Sequence, residues 1–307
     1  MKRFLSFLLC AVMLLSLCAP VWAAAPQELP YADSAFFDYG EYTLHYRVKA
    51  AAAPKGQIMM LHGFAQSTYE WENLSARLVE NGYTCVLVDL PDFGFSSRET
   101  KETDKLPREE LIHALMVSLS AAPWYLAGHS MGGYVALAVA QQYPESVKNL
   151  LLYGTAGNDG VPSQTAGLTS NDFLASVMGP FMELMGRNPL IVRLLLMAAL
   201  QDMDYAMHYD VEAIIAPFRV KGTGTGAIYN FSLLTDTDYE AVSRLNPILF
   251  MNGDRDRVIT DAARANLRAA LPEGSVDYVV KGGGHMFTEN MAAEAAEVTL
   301  AFLEENG

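Results

Sequence analysis

A serine that could act as a nucleophile, Ser130, lies in the Gly-His-Ser-Met-Gly pentapeptide at 128–132. An apolar run at 124–127 precedes the pentapeptide, and a run of small and apolar residues at 133–138, typical of a helix, follows it. In a sharp strand-to-helix turn the serine hydroxyl points away from both elements, and glycines allow close backbone packing. The N–H groups at the helix start then face the serine, where negative charge develops during acyl transfer. The alternative is a turn in which the serine only caps the helix.

A serine nucleophile needs a base, and His285 is the best candidate. It follows the last predicted strand and the three glycines at 282–284. Imidazole titrates near neutral pH, which suits proton transfer from a serine. The alternative is a histidine that caps a glycine-rich turn.

A carboxylate must hold this imidazole in the tautomer that accepts the serine proton. The loop at 253–258 offers Asp254 and Asp256. We assign the role to Asp256 because it lies deeper in the loop, and we expect Asp254 to cap the turn or pair with a neighbouring arginine. The chain order serine, aspartate, histidine is the one expected with such a nucleophile turn.

Two backbone N–H groups are expected to stabilise the oxyanion of the reaction. The first is that of Phe64, in the loop at 62–67 after another predicted strand. The second is that of Met131, the residue directly after Ser130. His62 lies in the first loop, and we expect it to brace the loop rather than act as the base.

Apolar runs that alternate with helical patterns predict the elements that carry these residues. The runs lie at 56–61, 86–90, 124–127, 147–153, 247–251 and 276–280. They are typical of a parallel sheet buried on both faces. A segment with alternating polarity at 42–48 predicts an antiparallel edge strand.

The alternation stops between about residues 160 and 244, where methionine-rich helical stretches occur. A glycine-rich segment at 222–226 within this region is expected to be a flexible loop. The sequence therefore predicts an α/β fold with a mostly parallel central sheet flanked by helices. A helical cap is inserted over the sheet edge at which ligands bind.

The predicted domain organisation is a signal peptide at 1–25, a core at 26–158 and 245–307, and a cap at 159–244. The signal peptide is indicated by basic residues at 2 and 3 and an apolar stretch at 4–17. Small residues then offer a cleavage site after Ala23 or after Ala25. A retained anchor is the alternative, although the stretch is short for a bilayer about 30 Å thick. We expect an exported protein, secreted, periplasmic or cell-envelope associated, with no stable membrane span after signal removal.

The composition excludes several classes of partner. The net charge is −14, so nucleic-acid binding is not expected, because phosphate contacts need positive charge. The six histidines have no metal-ligand spacing and no glycine-rich loop precedes a lysine, so no metal or cofactor is predicted. Cys85, the one cysteine outside the signal, lies in a predicted strand and is expected to be a buried, inert thiol.

Five segments together resemble the α/β-hydrolase superfamily, in its serine-nucleophile branch with a helical cap domain. They are His-Gly-Phe at 62–64, Asp-Leu-Pro-Asp-Phe-Gly-Phe-Ser at 89–96, Gly-His-Ser-Met-Gly-Gly at 128–133, Gly-Asp-Arg-Asp at 253–256 and Gly-His at 284–285. The resemblance implies that the acid is the third residue after the loop glycine, which is Asp256. The chain departs from the family pattern at Asp92, where a glycine is usual. The motifs are specific for fold and site, and not for substrate.

These residues predict an exported serine hydrolase that cleaves carboxylic esters, esterase- or lipase-like, through an acyl-enzyme. Serine argues against the haloalkane dehalogenases and epoxide hydrolases of the superfamily, which attack with aspartate. Alternatives are C–C bond hydrolysis, prolyl aminopeptidase or perhydrolase chemistry at the same site, or a non-catalytic binding protein. An aminopeptidase would need carboxylates for a substrate ammonium, and the cap has four acidic residues at 202–212.

The expected partner is a small-molecule substrate with an apolar acyl or aromatic group. Cap methionines and phenylalanines either line a pocket for that group or only pack the cap helices together. They are Met178, Met182, Met185, Met197, Met203, Met207, Phe173, Phe181 and Phe218.

Overall fold

The computed structural model describes residues 29–98, 107–158, 172–230 and 236–307. The predicted signal peptide, 1–25, lies outside the described residues, as does the first part of the predicted cap, 159–171. Asp33–Gly307 form one compact unit.

A sheet of eight strands forms the centre of the described part of this unit. Its strands are β1 (Ser34–Tyr39), β2 (Tyr42–Lys49), β3 (Gly56–Leu61), β4 (Tyr83–Val88), β5 (Trp124–His129), β6 (Val147–Tyr153), β7 (Ile248–Gly253) and β8 (Val276–Val280). Their spatial order is β1-β2-β4-β3-β5-β6-β7-β8. Strands β3 to β8 pair in parallel, and β2 is antiparallel to both its neighbours. The predicted fold class is confirmed, but β2 is not an edge strand, because β1, which the sequence pattern does not predict, pairs with its outer side.

Helices connect the strands and flank the sheet. They are α1 (Glu72–Glu80), α2 (Arg108–Leu119), α3 (Met131–Gln142), α4 (Asp172–Gly186), α5 (Pro189–Leu200), α6 (Met203–His208), α7 (Glu212–Phe218), α8 (Thr223–Asn230), α9 (Tyr239–Val242), α10 (Asp261–Ala269), α11 (Phe287–Asn290) and α12 (Ala292–Glu305). Short 3₁₀ turns precede α1, at Thr68–Trp71, and β6, at Pro144–Ser146. Helices α4 to α8 follow β6 and precede β7, in the region predicted as the cap.

The central strands are buried on both faces of the sheet. On β3, Ile58 and Met60 belong to one apolar cluster, and the alternating residues Met59 and Leu61 belong to another. Two-sided burial explains why these strands are continuous apolar runs. Cys85 on β4 is fully buried, and burial raises the pKa of its thiol to about 12. The buried thiol is therefore inert near neutral pH, as predicted.

The glycine-rich segment at 222–226 is not a flexible loop as predicted, because helix α8 begins within it. A Cβ atom on Gly224 would lie 2.0 Å from the carbonyl oxygen of Gly179 in α4, and one on Gly226 would lie 2.0 Å from Oδ1 of Asp92. Larger residues would push α8 away from α4 and from the core. Close packing, rather than flexibility, explains these glycines.

Asp92 links α8 to the core through a buried ionic cluster. Its φ of 73° lies in the left-handed region, and its side chain is fully buried. Arg108 Nη2 and Asn230 Nδ2 each donate a hydrogen bond of 2.8 Å to Asp92 Oδ2. The glycine usual in the family would adopt this backbone more readily, but it has no carboxylate for Arg108.

Replacing Asp92 by alanine is expected to lower the free energy of unfolding by about 3–5 kcal/mol, because buried Arg108 and Asn230 would lose the carboxylate to which both donate. Urea unfolding of the purified protein measures this change. The matched control is Glu240→Ala, which removes the exposed ion pair with Arg244 and should change stability little. Equal effects of the two substitutions would contradict a structural role for the Asp92 cluster.

Candidate active site

Ser130 is the single residue between β5 and α3. Its φ of 49° and ψ of −118° are unusual for a residue with a side chain. Its N–H donates to the carbonyl oxygen of Tyr153 at 3.0 Å. A Cβ atom on Gly132 would lie 2.1 Å from the carbonyl oxygen of Leu61. The glycine therefore lets α3 start close to the end of β3, and the predicted sharp turn is present.

The loops after β7 and β8 bring Asp256 and His285 together. Nδ1 of His285 donates to Oδ2 of Asp256 at 2.9 Å. Oδ1 of the same carboxylate, whose side chain is fully buried, accepts from the N–H groups of Val258 at 2.8 Å and Ile259 at 3.0 Å. Asp254 instead accepts from the Gly282 N–H at 2.7 Å. Of the two aspartates weighed from the sequence, Asp256 is therefore the one that contacts the histidine.

The electrostatic surroundings keep Asp256 ionised and His285 neutral. Burial raises the pKa of Asp256, but the hydrogen bond and charge of His285 and the two loop N–H groups outweigh it and lower this pKa below its usual value. Burial lowers the pKa of His285; Asp256 opposes this shift, and the nearby His129 adds to it. Near neutral pH the imidazole is a free base that carries its proton on Nδ1, so Nε2 holds the lone pair.

The two predicted oxyanion donors belong to the loop after β3 and to the start of α3. Phe64 lines a cavity together with Ser130 and His285. Met131 is the first residue of α3, so its N–H has no acceptor within the helix. The assignment of both N–H groups to the oxyanion stays a prediction.

His62 is held in a neutral form by its hydrogen bonds. The Leu90 N–H donates to Nε2 of His62 at 3.0 Å, which makes Nε2 an acceptor. Nδ1 must then donate, and it does so to the carbonyl oxygen of Gly63 at 2.7 Å. The fully buried ring therefore joins two loops and has no nitrogen left for proton transfer.

A buried ion pair that the sequence pattern does not predict lies beside His285. Nδ1 of His129 contacts Oε1 of Glu70, and both side chains are almost completely buried. Oε2 of Glu70 accepts from the Gly63 N–H at 2.8 Å. Nε2 of His129 donates to the carbonyl oxygen of His285 at 2.9 Å. The pair thus connects the loop after β3, the end of β5 next to Ser130 and the loop after β8.

Each member of this pair favours the charged form of the other. Burial raises the pKa of Glu70, but His129 and the Gly63 N–H outweigh it and lower this pKa below its usual value. Burial lowers the pKa of His129, but Glu70 outweighs it and raises this pKa above its usual value. The sequence around Glu70, Ser-Thr-Tyr-Glu-Trp-Glu-Asn at 67–73, is mostly polar and gives no sign that this glutamate is buried. Nothing in the sequence indicates that its partner is the histidine beside Ser130.

The cavity at these residues has a volume of about 620 Å³ and is mostly apolar. The larger apolar side chains that the cap contributes are Val192, Leu195, Leu196, Ile214 and Phe218. No aspartate or glutamate is among the described residues that line it. The acidic cap residues have other contacts, since Asp202 caps α6 and Glu212 pairs with Arg219.

Most of the phenylalanine and methionine side chains predicted from the sequence to line a cap pocket do not line this cavity. Of the nine residues named from the sequence, Phe218 lines it and none of the six methionines does. Met178, Phe181, Met203 and Met207 are exposed at the surface, and the side chain of Phe173 lies outside the described residues. The cap side of the cavity wall is formed instead by leucine, isoleucine, valine and Phe218, which lie on α5 and α7.

Comparison with known proteins agrees with this architecture. A family model described as alpha/beta hydrolase fold matches residues 57–181. Lipase 1 of Psychrobacter immobilis is 24% identical over 265 residues, covering 80% of this chain and 76% of the relative. Lipase 3 of Moraxella sp. (strain TA144) is 25% identical over 249 residues, covering 75% of this chain and 71% of the relative. The solved structure of the enol-lactonase from Burkholderia xenovorans LB400 is 19% identical, with a TM-score of 0.69, covering 88% of this chain and 100% of that chain.

The chain has the α/β-hydrolase fold, and the matching family model and solved structure support the resemblance to that superfamily seen in the sequence. The lipases among its relatives support a hydrolase enzyme. Within the described ranges, no group of three or more histidine, cysteine, aspartate or glutamate residues could hold a metal ion. The described helices include none that combines the length and the apolar character needed to cross a bilayer.

Proposed function

We propose that the protein is an exported serine hydrolase that cleaves carboxylic esters through an acyl-enzyme on Ser130. The observation that carries this proposal is the hydrogen bond between His285 and buried Asp256 at a cavity that Ser130 also lines. A base oriented by a carboxylate is what a serine nucleophile requires. The lipases among the relatives support ester substrates.

In the first half of the reaction, Oγ of Ser130 attacks the ester carbonyl carbon while Nε2 of His285 accepts the hydroxyl proton. The Ser130–His285 hydrogen bond forms as the substrate binds, since such bonds are often long or poorly aligned without substrate. Asp256 stays ionised and stabilises the imidazolium. The N–H groups of Phe64 and Met131 stabilise the oxyanion. Collapse of this intermediate breaks the ester C–O bond, and His285 returns the proton to the leaving alcohol.

The second half repeats these steps with water. His285 takes a proton from a water molecule, whose oxygen attacks the acyl carbon of the ester on Ser130. Collapse of the second oxyanion breaks the bond to Oγ, which regains its proton from the imidazolium, and the carboxylic acid is released. The strained backbone of Ser130 keeps the oxygen atom at the cavity wall throughout both halves.

Export is part of the same proposal and rests on the N-terminal sequence. The basic start, the apolar stretch and the small residues before the cleavage sites are the parts of a signal peptide. A mature chain that begins at Ala24 or Pro26 is expected, and N-terminal sequencing of protein recovered outside the cytoplasm tests this. A mature chain that retains Met1 would contradict it.

A panel of p-nitrophenyl esters of increasing acyl length tests the substrate assignment. Because the cavity wall is apolar, kcat/KM is expected to rise by about threefold to fourfold per added methylene until the cavity is filled. Proline p-nitroanilide should not be hydrolysed, because the described lining has no carboxylate for its ammonium group. Hydrolysis of the anilide faster than of every ester would contradict the proposal and favour an aminopeptidase.

A further inference from the structure

One permanently charged side chain, that of Arg257, is present in the otherwise mostly apolar lining of the cavity. Arg257 directly follows Asp256 in the loop after β7, and it is exposed to solvent as well as lining the cavity. It therefore lies at the mouth. The next residue, Val258, is also exposed and also lines the cavity.

The guanidinium of Arg257 has no hydrogen-bond or ion-pair partner among the described residues. Carboxylates that could pair with it are numerous, since the chain has 35 acidic residues against 21 lysines and arginines. Neighbouring arginines do have partners: Arg264 contacts Asp256, and Arg268 contacts Asp277 at 2.6 Å. Arg255, in the same loop, is likewise exposed and has no such side-chain partner in the described structure, but it does not line the cavity.

An unpaired arginine at the mouth of an apolar cavity fits one class of ester. The acyl chain would occupy the apolar part, and the alcohol part would extend to the mouth, where the leaving group must depart. A guanidinium binds phosphate or carboxylate oxygens through paired, charge-assisted hydrogen bonds. Because the protein as a whole is strongly acidic, an anionic substrate would otherwise be repelled.

We propose that Arg257 is a specificity-determining residue that binds an anionic phosphate or carboxylate group on the alcohol part of the ester. The proposal rests on the ester hydrolase function proposed above and names the substrate class of that site. The preferred substrate is an ester of an apolar acyl chain with an alcohol that carries an anionic group. The anionic group leaves the site as part of the alcohol product. No new bond is made or broken at Arg257.

The test compares two esters with the same acyl chain, 1-octanoylglycerol and 1-octanoylglycerol 3-phosphate, both kept below the concentration at which they aggregate. The wild-type protein is expected to show the higher kcat/KM for the phosphate ester. Arg257→Gln should lower the ratio of the two kcat/KM values by about tenfold or more, mainly through KM of the phosphate ester. Arg257→Lys should restore part of the ratio, and 0.5 M salt should reduce it in the wild type.

The matched control is Arg255→Gln, which removes an equal charge from the same loop outside the cavity. The ratio of kcat/KM for the phosphate ester to kcat/KM for the neutral ester should stay close to the wild-type ratio in this variant. If Arg257→Gln and Arg255→Gln change the ratio equally, or if the wild type shows no preference, the role of Arg257 is refuted while ester hydrolysis stands. If the wild type hydrolyses neither ester of the pair nor any p-nitrophenyl ester, the proposed function itself is refuted. The two failures are therefore distinguishable.

Discussion

Replacing Ser130 by alanine is expected to reduce kcat for ester hydrolysis by on the order of 10⁶-fold. The substitution removes the oxygen that attacks the substrate, and no other hydroxyl side chain is among the described residues that line the cavity. The remaining rate would come from substrate binding and from the oxyanion donors at Phe64 and Met131. Steady-state kinetics with the best ester of the panel measure the loss.

The fold should be unaffected, because alanine retains the Cβ atom and the N–H that donates to Tyr153. Circular dichroism and thermal unfolding check this point. Ser118→Ala, which changes an exposed serine on α2, is the matched control and should retain full activity. A folded Ser130→Ala protein that keeps more than a few per cent of the wild-type rate would exclude Ser130 as the nucleophile.

Replacing Asp256 by asparagine is expected to reduce kcat by about 10⁴-fold. An amide has no charge to stabilise the imidazolium of His285. An amide that turns its NH₂ group toward Nδ1 would also favour the tautomer with the proton on Nε2, which cannot accept the proton of Ser130. The loss should appear in kcat more than in KM, because the imidazolium forms only during the reaction.

Asp254→Asn is the matched control for this prediction. It makes the same change two residues earlier in the same loop, where the amide oxygen can still accept the hydrogen bond from the Gly282 N–H. Its kcat should stay within a few-fold of the wild-type value. A larger loss in Asp254→Asn than in Asp256→Asn would reverse the assignment of the acid.

Much of the fold and site is predictable from the sequence because the determinants are local. Strands buried on both faces must be continuous apolar runs, and the runs at 56–61 and 147–153 therefore predict β3 and β6 with the bounds that the structure shows. The turn at Ser130 has a local signature as well, since Gly132 must lack a side chain to let α3 approach β3. The proximity of Asp256 and His285 follows from parallel topology, which brings the ends of β7 and β8 to one edge of the sheet.

Other features depend on contacts between distant residues and could not be predicted in this way. The pairing of Glu70 with His129 joins residues 59 positions apart, and neither residue alone indicates a buried charge. Gly224 and Gly226 have the composition of a flexible loop, and only the neighbouring α4 and Asp92 explain them. The face of α5 that lines the cavity was likewise undetermined, because this helix is apolar on most sides.

Covalent labelling with a fluorophosphonate tests the central claim most directly, because this reagent reacts with a serine only when a base activates it. The purified protein is treated with the reagent, and the modified peptide is identified by mass spectrometry. We expect one label, on Ser130, with parallel loss of esterase activity, and no label in Ser130→Ala or after His285→Ala. Labelling of another residue, or an unlabelled Ser130 in a folded protein that hydrolyses esters, would contradict the proposed mechanism.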